Sequence, residues 1–150
     1  MQIHLCGYLM VYSKKRKLEN CMETSIGCSV IIHNSEGKVL ICQRSAMKQS
    51  FPMMWELVGG GLEMGETPEQ CIRREAMEEI GCMLNDLILF DVTLAYSDKR
   101  YMGIVFTATI DDEVTTNEEI HQTKWLSRDE YDQYYFMPDG GNQRLEKFFG

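Results

Sequence analysis

The sequence predicts an α/β domain of the α+β type. Apolar, strand-like segments occupy 25–44 and 87–110, and a capped helix with one apolar stripe lies between them at 68–80. The chain has 150 residues, of which 44% are hydrophobic and 25% charged. This composition is typical of a single globular domain with a substantial core.

The formal net charge of -8 limits the classes of partner. An acidic surface argues against a binder of nucleic-acid polymers or of anionic membranes. It does not exclude a small anionic substrate that is held through metal ions. No stretch of the sequence approaches the roughly 18–20 apolar residues of a membrane span.

The six cysteines indicate a reducing environment. None belongs to a C-x-x-C pair, so the sequence does not predict a structural zinc site. Cys28, Cys42 and Cys71 fall within apolar segments and are typical of small core residues. We therefore expect reduced thiols in a cytoplasmic protein.

The chain divides into an N-terminal extension, 1–24, and a domain, 25–150. The extension begins with an apolar stretch, 3–12, and a basic run follows at 14–17. A signal peptide has these parts in the opposite order. We expect the extension to form an additional strand or an arm that contacts a second copy in a homodimer.

The domain begins with two predicted strands, 25–33 and 38–44, joined as a hairpin by the turn 34–37. An irregular loop follows at 45–54. A short strand, 55–58, then leads into three consecutive glycines, Gly59, Gly60 and Gly61. Glycines allow a ligand to come close to the backbone.

The helix 68–80 has well-marked ends. Thr67 suits the N-cap, Pro68 the first helical position, and Gln70 the third position of a capping box. Gly81 can adopt the left-handed conformation that ends a helix.

The rest of the chain predicts strands at 87–90, 92–96 and 101–110, with a turn at 97–100. An acidic linker, 111–119, leads to a short strand within 120–125, where Trp125 is expected in the core. Ser127 and Glu130 form a capping box that predicts a helix to about Phe136, before Pro138. A last helix is expected at 142–149.

Three carboxylates stand close together on the helix 68–80. Glu75, Glu78 and Glu79 are spaced i, i+3, i+4 and lie on one face. A solvated acidic helix face costs little free energy, since an exposed like-charged pair costs only about 0.2–0.5 kcal/mol. The alternative is that a divalent cation offsets the repulsion, since Mg²⁺ binds oxygen ligands.

The wider sequence pattern favours the interpretation that the three carboxylates bind a cation. From Gly60 the sequence runs glycine, five residues, Glu66, seven residues, then 74–82 with Arg74-Glu75 and two adjacent glutamates before Gly81. This resembles the Nudix box, and every fixed position matches. The departures are Ala76 and Cys82, which are smaller than the usual aliphatic residues.

The resemblance covers about 25–136 and implies a fold and an activity. The implied fold is an α/β/α sandwich with a mixed central sheet. The implied activity is Mg²⁺- or Mn²⁺-dependent hydrolysis of a nucleoside diphosphate linked to another group. The segment 62–70 is similar to the MutT-like branch, which implies conversion of a nucleoside triphosphate to a monophosphate and pyrophosphate.

The resemblance also implies a set of metal ligands. Glu75 and Glu79 would be primary ligands, and Glu78 a third ligand or the general base. The Gly59 carbonyl and Glu119, with Glu118 as the alternative, would complete the set. The implied role of Arg74 is to hold Glu75, and Glu66 would brace the loop.

The sequence gives weaker evidence for the residues that contact the substrate than for the metal ligands. Gly60 and Gly61 would lie against the phosphates. Arg44 is an equally good candidate for a substrate contact or for a surface ion pair, and the signal at Lys48 is weaker. Asn142, or Asp139, could contact a base, although turn and cap residues are common at such positions.

Three other functions remain open at this stage. One is hydrolysis of ADP-ribose or of another nucleotide sugar or dinucleotide. The second is isopentenyl-diphosphate isomerisation, which Gln43-Arg44-Ser45 and Phe51-Pro52 resemble, but the histidine of that branch is missing from the glycine loop. The third is a non-catalytic nucleotide-binding module, which would not need the complete carboxylate set.

Overall fold

A computed structural model describes residues 24–96, 100–138 and 140–150. The N-terminal extension up to residue 23, most of the predicted turn 97–100 and Asp139 lie outside the described residues. The described chain forms two β-sheets, two α-helices and one 3₁₀-helix, with bounds β1 Thr24–Ile32, β2 Val39–Arg44, β3 Trp55–Glu56, β4 Val58–Gly61, α1 Pro68–Ile80, β5 Asn85–Tyr96, β6 Arg100–Thr109, β7 Ile120–Leu126, the 3₁₀-helix Tyr131–Gln133 and α2 Gly141–Phe149.

The larger sheet has four strands in the order β4-β1-β6-β5. β1 runs parallel to β6, in a register from Thr24 opposite Arg100 to Ile32 opposite Ala108. The β1–β4 and β5–β6 pairs are antiparallel. The sheet is therefore mixed, which confirms the predicted fold class.

The smaller sheet is antiparallel and has the order β3-β2-β7. The predicted hairpin of 25–44 is therefore wrong as a pairing. β1 and β2 follow each other in the chain, but each belongs to a different sheet, and a single bridge between His33 and Val39 joins the end of β1 to the start of β2. β1 lies between β4 and β6, and β2 lies between β3 and β7, so both edges of each strand are occupied by other partners.

Two apolar cores lie on either side of these strands. One contains Ile72, Ala76 and Ile80, so the predicted apolar stripe of α1 is buried against the sheet. The other contains Leu145 of α2, and Phe148 packs against it. Within the described part of the chain, no helix is long and apolar enough to cross a membrane.

The ends of α1 follow the sequence prediction. Thr67 Oγ1 accepts a hydrogen bond from the Gln70 N–H (3.2 Å), and Gln70 Oε1 accepts one from the Thr67 N–H (2.9 Å). Gly81 has a φ of 66° and ends the helix in the left-handed conformation. The helix that carries the carboxylates is thus fixed at both ends by local interactions.

The segment after β2 differs from the predicted single strand, 55–58. Trp55 and Glu56 pair with β2 in the smaller sheet, whereas Val58 to Gly61 pair with β1 in the larger one. The chain changes sheets at Leu57. This crossing places the glycines beside α1 and Glu56 beside β2.

The predicted helix 127–136 is wrong. Only one of the two capping contacts exists: Glu130 Oε2 accepts a hydrogen bond from the Ser127 N–H (3.2 Å), but the Ser127 hydroxyl donates to the same oxygen (2.6 Å) and the Glu130 N–H donates to the Ser127 carbonyl (3.1 Å). Only one 3₁₀ turn follows. The Trp55 N–H donates to the Tyr135 carbonyl, and the Met137 N–H donates to the Trp55 carbonyl, both at 2.9 Å. These non-local bonds hold the segment against β3 instead of in a helix.

Three smaller differences concern the remaining elements. The strands predicted at 87–90 and 92–96 form one strand, β5, with a bulge between Leu89 and Asp91. Trp125 is only partly buried and packs against the core that contains Ile72. The last helix begins at Gly141, one residue before the prediction.

The capping box of α1 leads to a stability prediction. Thr67→Ala removes the side-chain acceptor, and we expect it to lower the free energy of unfolding by about 1 kcal/mol. Thr67→Ser keeps the oxygen and should stay within a few tenths of a kcal/mol of the parent. Urea denaturation measures both. An equal loss in the two variants would contradict the role of the cap.

Candidate active site

The carboxylates of α1 face the glycine strand β4. The Gly59 N–H donates a hydrogen bond to Glu79 Oε2 at 3.1 Å. Glu79 is only 6% exposed. A carboxylate predicted to lie on an acidic helix face is thus buried against the backbone of the glycine loop.

Close packing around β4 accounts for two of the three glycines. A Cβ atom at Gly60 would overlap the Glu75 carboxylate of α1, and one at Gly59 would lie 2.8 Å from the Ser29 Cα of β1. A Cβ at Gly61 would meet nothing. Gly60 therefore lets a helix carboxylate approach β4, and Gly59 lets β1 pack closely against it.

Arg74 joins several groups on the helix and the loop. Its Nε donates to Glu66 Oε1 and its Nη1 to Glu75 Oε1, each at 2.7 Å. Nη1 also lies 3.2 Å from Glu78 Oε2, and Nη2 donates to the Gly61 carbonyl at 3.2 Å. The geometry is that of an arginine that holds Glu75, as the resemblance implies.

Glu66 braces the loop before α1. Its Oε2 accepts a hydrogen bond from the Glu63 N–H at 3.0 Å, and Arg74 contacts both of its oxygens. The hydrogen bond from Arg74 is the main reason that the pKa of Glu66 is lowered to about 2. Glu66 is therefore negatively charged at neutral pH and paired with Arg74.

Glu79 has the opposite electrostatic environment. Burial raises its pKa to about 8, and repulsion from Glu56 and Glu75 adds to the rise, while the Gly59 N–H opposes it. The Glu56 and Glu75 carboxylates are thus close enough to disfavour a charge on Glu79. A cation placed among them would relieve this repulsion.

Sequence reasoning did not identify Glu56. It is 7% exposed and its carboxylate pairs with Arg44, with 2.8 Å between Nη1 and Oε2. A glutamate between Trp55 and Leu57 in an apolar strand was the available signal. Arg44 thus forms an ion pair with a carboxylate, which was one of its two predicted roles. It also lines the cavity described below.

Lys48 and Glu119 meet at the rim of the site. Lys48 Nζ contacts Glu119 Oε2, and the Ser45 N–H donates to the Glu119 carbonyl at 2.8 Å. Lys48 also lowers the pKa of Glu79, as the smallest of the influences on it. Glu119 and Lys48 therefore lie on the same side of the molecule as the buried carboxylate.

A cavity of about 720 Å³ opens beside these groups. Its lining joins the two sheets, with the glycines Gly59, Gly60 and Gly61 on one side and Arg44 and Glu56 on the other. This volume is in the range of small-molecule sites, roughly 300–1,000 Å³. Asn142 does not line this cavity but a neighbouring one of about 610 Å³.

The donor set suits a hard divalent cation. Within the described residues no three His, Cys, Asp or Glu side chains already converge as a metal site. Arg74 draws Glu75 and Glu78 toward itself, and the Glu78 side chain is 55% exposed. The mutual repulsion of Glu56, Glu75 and Glu79 and their oxygen chemistry nevertheless fit Mg²⁺ or Mn²⁺.

Comparison with known proteins gives concordant results. The model of the NUDIX domain family matches residues 24–149. Nucleoside triphosphatase NudI of Enterobacter sp. (strain 638) is 31% identical over 120 residues, which cover 71% of this chain and 84% of the relative. Nucleoside triphosphatase NudI of Salmonella arizonae is 30% identical over 128 residues, which cover 75% and 87%.

Among solved structures, the MutT protein from Methanosarcina mazei Go1 has a similar fold. Its TM-score is 0.72 at 22% identity, and the alignment covers 87% of this chain and 96% of that one. The glycine strand, the capped helix and its carboxylates all lie inside the residues that the family model matches. The chain therefore belongs to the Nudix family and has the fold of its MutT-like hydrolases.

Proposed function

We propose that this enzyme hydrolyses a nucleoside triphosphate to the monophosphate and pyrophosphate, with Mg²⁺ or Mn²⁺. The observation that carries the proposal is the Glu79 carboxylate, which is buried next to Glu56 and Glu75 and accepts a hydrogen bond from the N–H of Gly59, a residue that lines a cavity of nucleotide size. The two relatives named above are called nucleoside triphosphatases, which supports the same substrate class.

The cation would be held by Glu75, Glu78 and Glu79, with the Gly59 carbonyl and Glu119. When bound, it neutralises phosphate charge and makes a water molecule more acidic. Arg74 positions Glu75 through its 2.7 Å contact, and its second partner Glu66 fixes the guanidinium to the loop. Which carboxylate accepts the proton is a separate question, and Glu78 is the candidate with the most exposed side chain of the three on α1.

The substrate phosphates would lie along the glycine strand. Gly60 and Gly61 line the cavity without side chains, so phosphate oxygens can reach the backbone there. Arg44 supplies positive charge in the lining of this cavity and Lys48 supplies it beside Glu119, and each is already paired with a carboxylate. Asn142 would contact the base from the adjoining cavity.

We also propose a reducing compartment such as the cytoplasm. Four of the six cysteines lie in the described residues, and all four are buried free thiols: Cys28, Cys42, Cys71 and Cys82. Burial raises the pKa of Cys71 to about 12, so this thiol is protonated at neutral pH. Such cysteines act as small core residues.

The first prediction from this proposal concerns catalysis. Glu79→Gln preserves the shape of the side chain but removes its negative charge, and with it one of the proposed ligands of the cation. We expect a loss in kcat/KM of about 10²–10⁴-fold, because a bound cation contributes several kcal/mol of charge stabilisation and each 1.36 kcal/mol is a factor of about ten in rate. The measurement is release of pyrophosphate from a panel of nucleoside triphosphates in Mg²⁺.

The matched control is Glu69→Gln. Glu69 is an exposed carboxylate in the first turn of the same helix and lies outside the cavity. It should retain the parent activity. Full activity in Glu79→Gln, or an equal loss in both variants, would contradict the assignment of Glu79.

The second prediction concerns stability in the absence of metal. The folded-state pKa of Glu79, about 8, lies above its ordinary value of 4.5. Folding therefore favours the protonated form, and the stability associated with it is present below about pH 4.5 and lost as the pH rises through 8. Glu79→Gln stays neutral and escapes this loss.

Thermal unfolding in EDTA tests this sign. The Tm of Glu79→Gln should approach that of the parent near pH 5 and exceed it by several degrees near pH 9, since about 1 kcal/mol corresponds to 2–4 °C in larger domains. Adding Mg²⁺ at pH 9 should raise the Tm of the parent more than that of the variant. A Tm difference independent of pH would exclude the electrostatic origin.

A further inference from the structure

Apolar side chains form rows across β1, β6 and β5 on the face of the larger sheet that packs against α1. In one row Val30 of β1 lies opposite Phe106 of β6, and Phe106 lies opposite Leu89 of β5. Val30 and Phe106 are buried in the core that they share with α1, but Leu89 is 57% exposed. The cover that α1 gives to this face therefore ends before β5.

Two further rows continue this face toward the start of β1. Each row joins one residue of β1, one of β6 and one of β5: Cys28, Ile104 and Val92 in one row, and Ile26, Met102 and Leu94 in the next. Val92 and Leu94 are 51% and 53% exposed, and the two β6 residues are half-buried. We call the partly and fully exposed members of the three rows the open apolar face: Ile26, Leu89, Val92, Leu94, Met102 and Ile104.

The open apolar face borders an unpaired edge of the sheet. β5 is the last strand in the order β4-β1-β6-β5, and it is 12 residues long. Within the described part of the chain, no strand pairs with its outer edge. Contiguous exposed apolar surface marks an interaction site, and a long apolar edge strand promotes association unless another segment covers it. This region of β5 therefore needs a covering segment.

Residues 1–23 join the described chain beside this face. They lead into Thr24, which lies opposite Arg100, and Arg100 lies opposite Tyr96 at the end of β5. Thr24 is thus two strand spacings, or about 10 Å, from β5. Residues 13–23 connect Thr24 to the apolar stretch 3–12, and eleven residues can span up to about 36 Å. The apolar stretch can therefore reach every part of the open apolar face.

The composition of residues 1–23 suits this surface. Within the stretch 3–12, aliphatic residues recur at every second position apart from Gly7: Ile3, Leu5, Leu9 and Val11. Residues 1–23 also contain four basic and two acidic side chains, in a chain whose net charge is -8, so attraction to the acidic domain favours their return to it. A flexible connection within one chain gives an effective concentration in the millimolar range, which favours this segment over a second copy.

We infer that residues 3–12 dock on the open apolar face of their own chain. Their aliphatic side chains contact Val92 and Leu94 and remove the exposed part of β5 from water. Of the two roles that the sequence left open for the extension, this assigns an addition to the domain and not an arm that contacts a second copy. The inference does not depend on the proposed enzymatic function.

Cross-linking in the full chain tests the docking. Cys6 lies within the stretch 3–12, so one new cysteine is sufficient. Val92→Cys places it on the open apolar face. The matched control is Ile88→Cys, because Ile88 is 63% exposed on the opposite face of the same strand, next to Leu87, which packs against the core under α1.

A short bifunctional maleimide should join Cys6 to the new thiol in Val92→Cys, with a yield at least tenfold higher than in Ile88→Cys. Peptide mapping by mass spectrometry identifies the linked residues. Mixing ¹⁵N-labelled with unlabelled protein before the reaction shows whether a link lies within one chain or between two.

Proteolysis provides a second measurement. Chymotrypsin can cleave after Tyr8 and Tyr12, and docking protects both sites. Val92→Asp should raise the rate of cleavage within 3–12 about tenfold, because a lost aliphatic contact increases the undocked population by that order and cleavage follows this population. Ile88→Asp should cleave at the parent rate.

Each outcome decides the inference. Links within one chain together with faster cleavage of Val92→Asp support it. Links only between chains would assign the face to the extension of a second copy and overturn docking within one chain. Equal cross-linking yields at the two positions, no link at either, or equal cleavage of the two Asp variants would also overturn it. If Val92→Asp does not fold, the cross-linking of Val92→Cys, a substitution of similar size, decides.

Discussion

Burial of the Glu79 carboxylate against the Gly59 N–H is the contact on which the geometry of the site depends. The 3.1 Å hydrogen bond fixes α1 to β4, and both ends of it belong to the proposed cation site. Because Glu56 and Glu75 also disfavour a charge on Glu79, the contact is strained electrostatically in the absence of a cation. A positively charged ligand would relieve this repulsion, as the proposed function requires.

Arg74 offsets part of the repulsion among the carboxylates. Its guanidinium engages Glu66, Glu75 and Glu78 together, and the contact with Glu66 keeps it anchored to the loop. These contacts also raise the pKa of Arg74, so the charge is permanent. One arginine thus compensates the negative charge of the more exposed carboxylates. At the buried Glu79, Lys48 lowers the pKa, but its influence is smaller than that of burial and of Glu56 and Glu75, which raise it.

Features fixed by short-range interactions could be predicted from the sequence, and those fixed by distant segments could not. The limits of α1 follow from Thr67, Pro68 and Gly81, which act within one turn of the helix ends, so the prediction of 68–80 is confirmed. The pattern at Ser127 and Glu130 has the same spacing as the capping box of α1. It fails to start an α-helix because hydrogen bonds from β3, about eighty residues earlier in the sequence, compete for the backbone of 135–137.

The same distinction applies to the site. The carboxylates of α1 could be identified because their spacing on one helix is visible in the sequence and matches a known motif. Glu56 was missed because nothing local distinguishes a buried charged residue from an exposed one. Its burial depends on which strands become neighbours, and that follows from the separation of β1 and β2 into different sheets.

The change of sheet at Leu57 explains why all these groups meet in one cleft. Glu56 stays with β2 and Arg44 in the smaller sheet, while Gly59, two residues after Leu57, pairs with Ser29 in the larger one. Two sheets that share a strand connection must diverge around it, and the opening between them is the cavity next to the glycines. The cavity that would hold the substrate phosphates is therefore a consequence of one backbone crossing, and α1 supplies the acidic groups beside it.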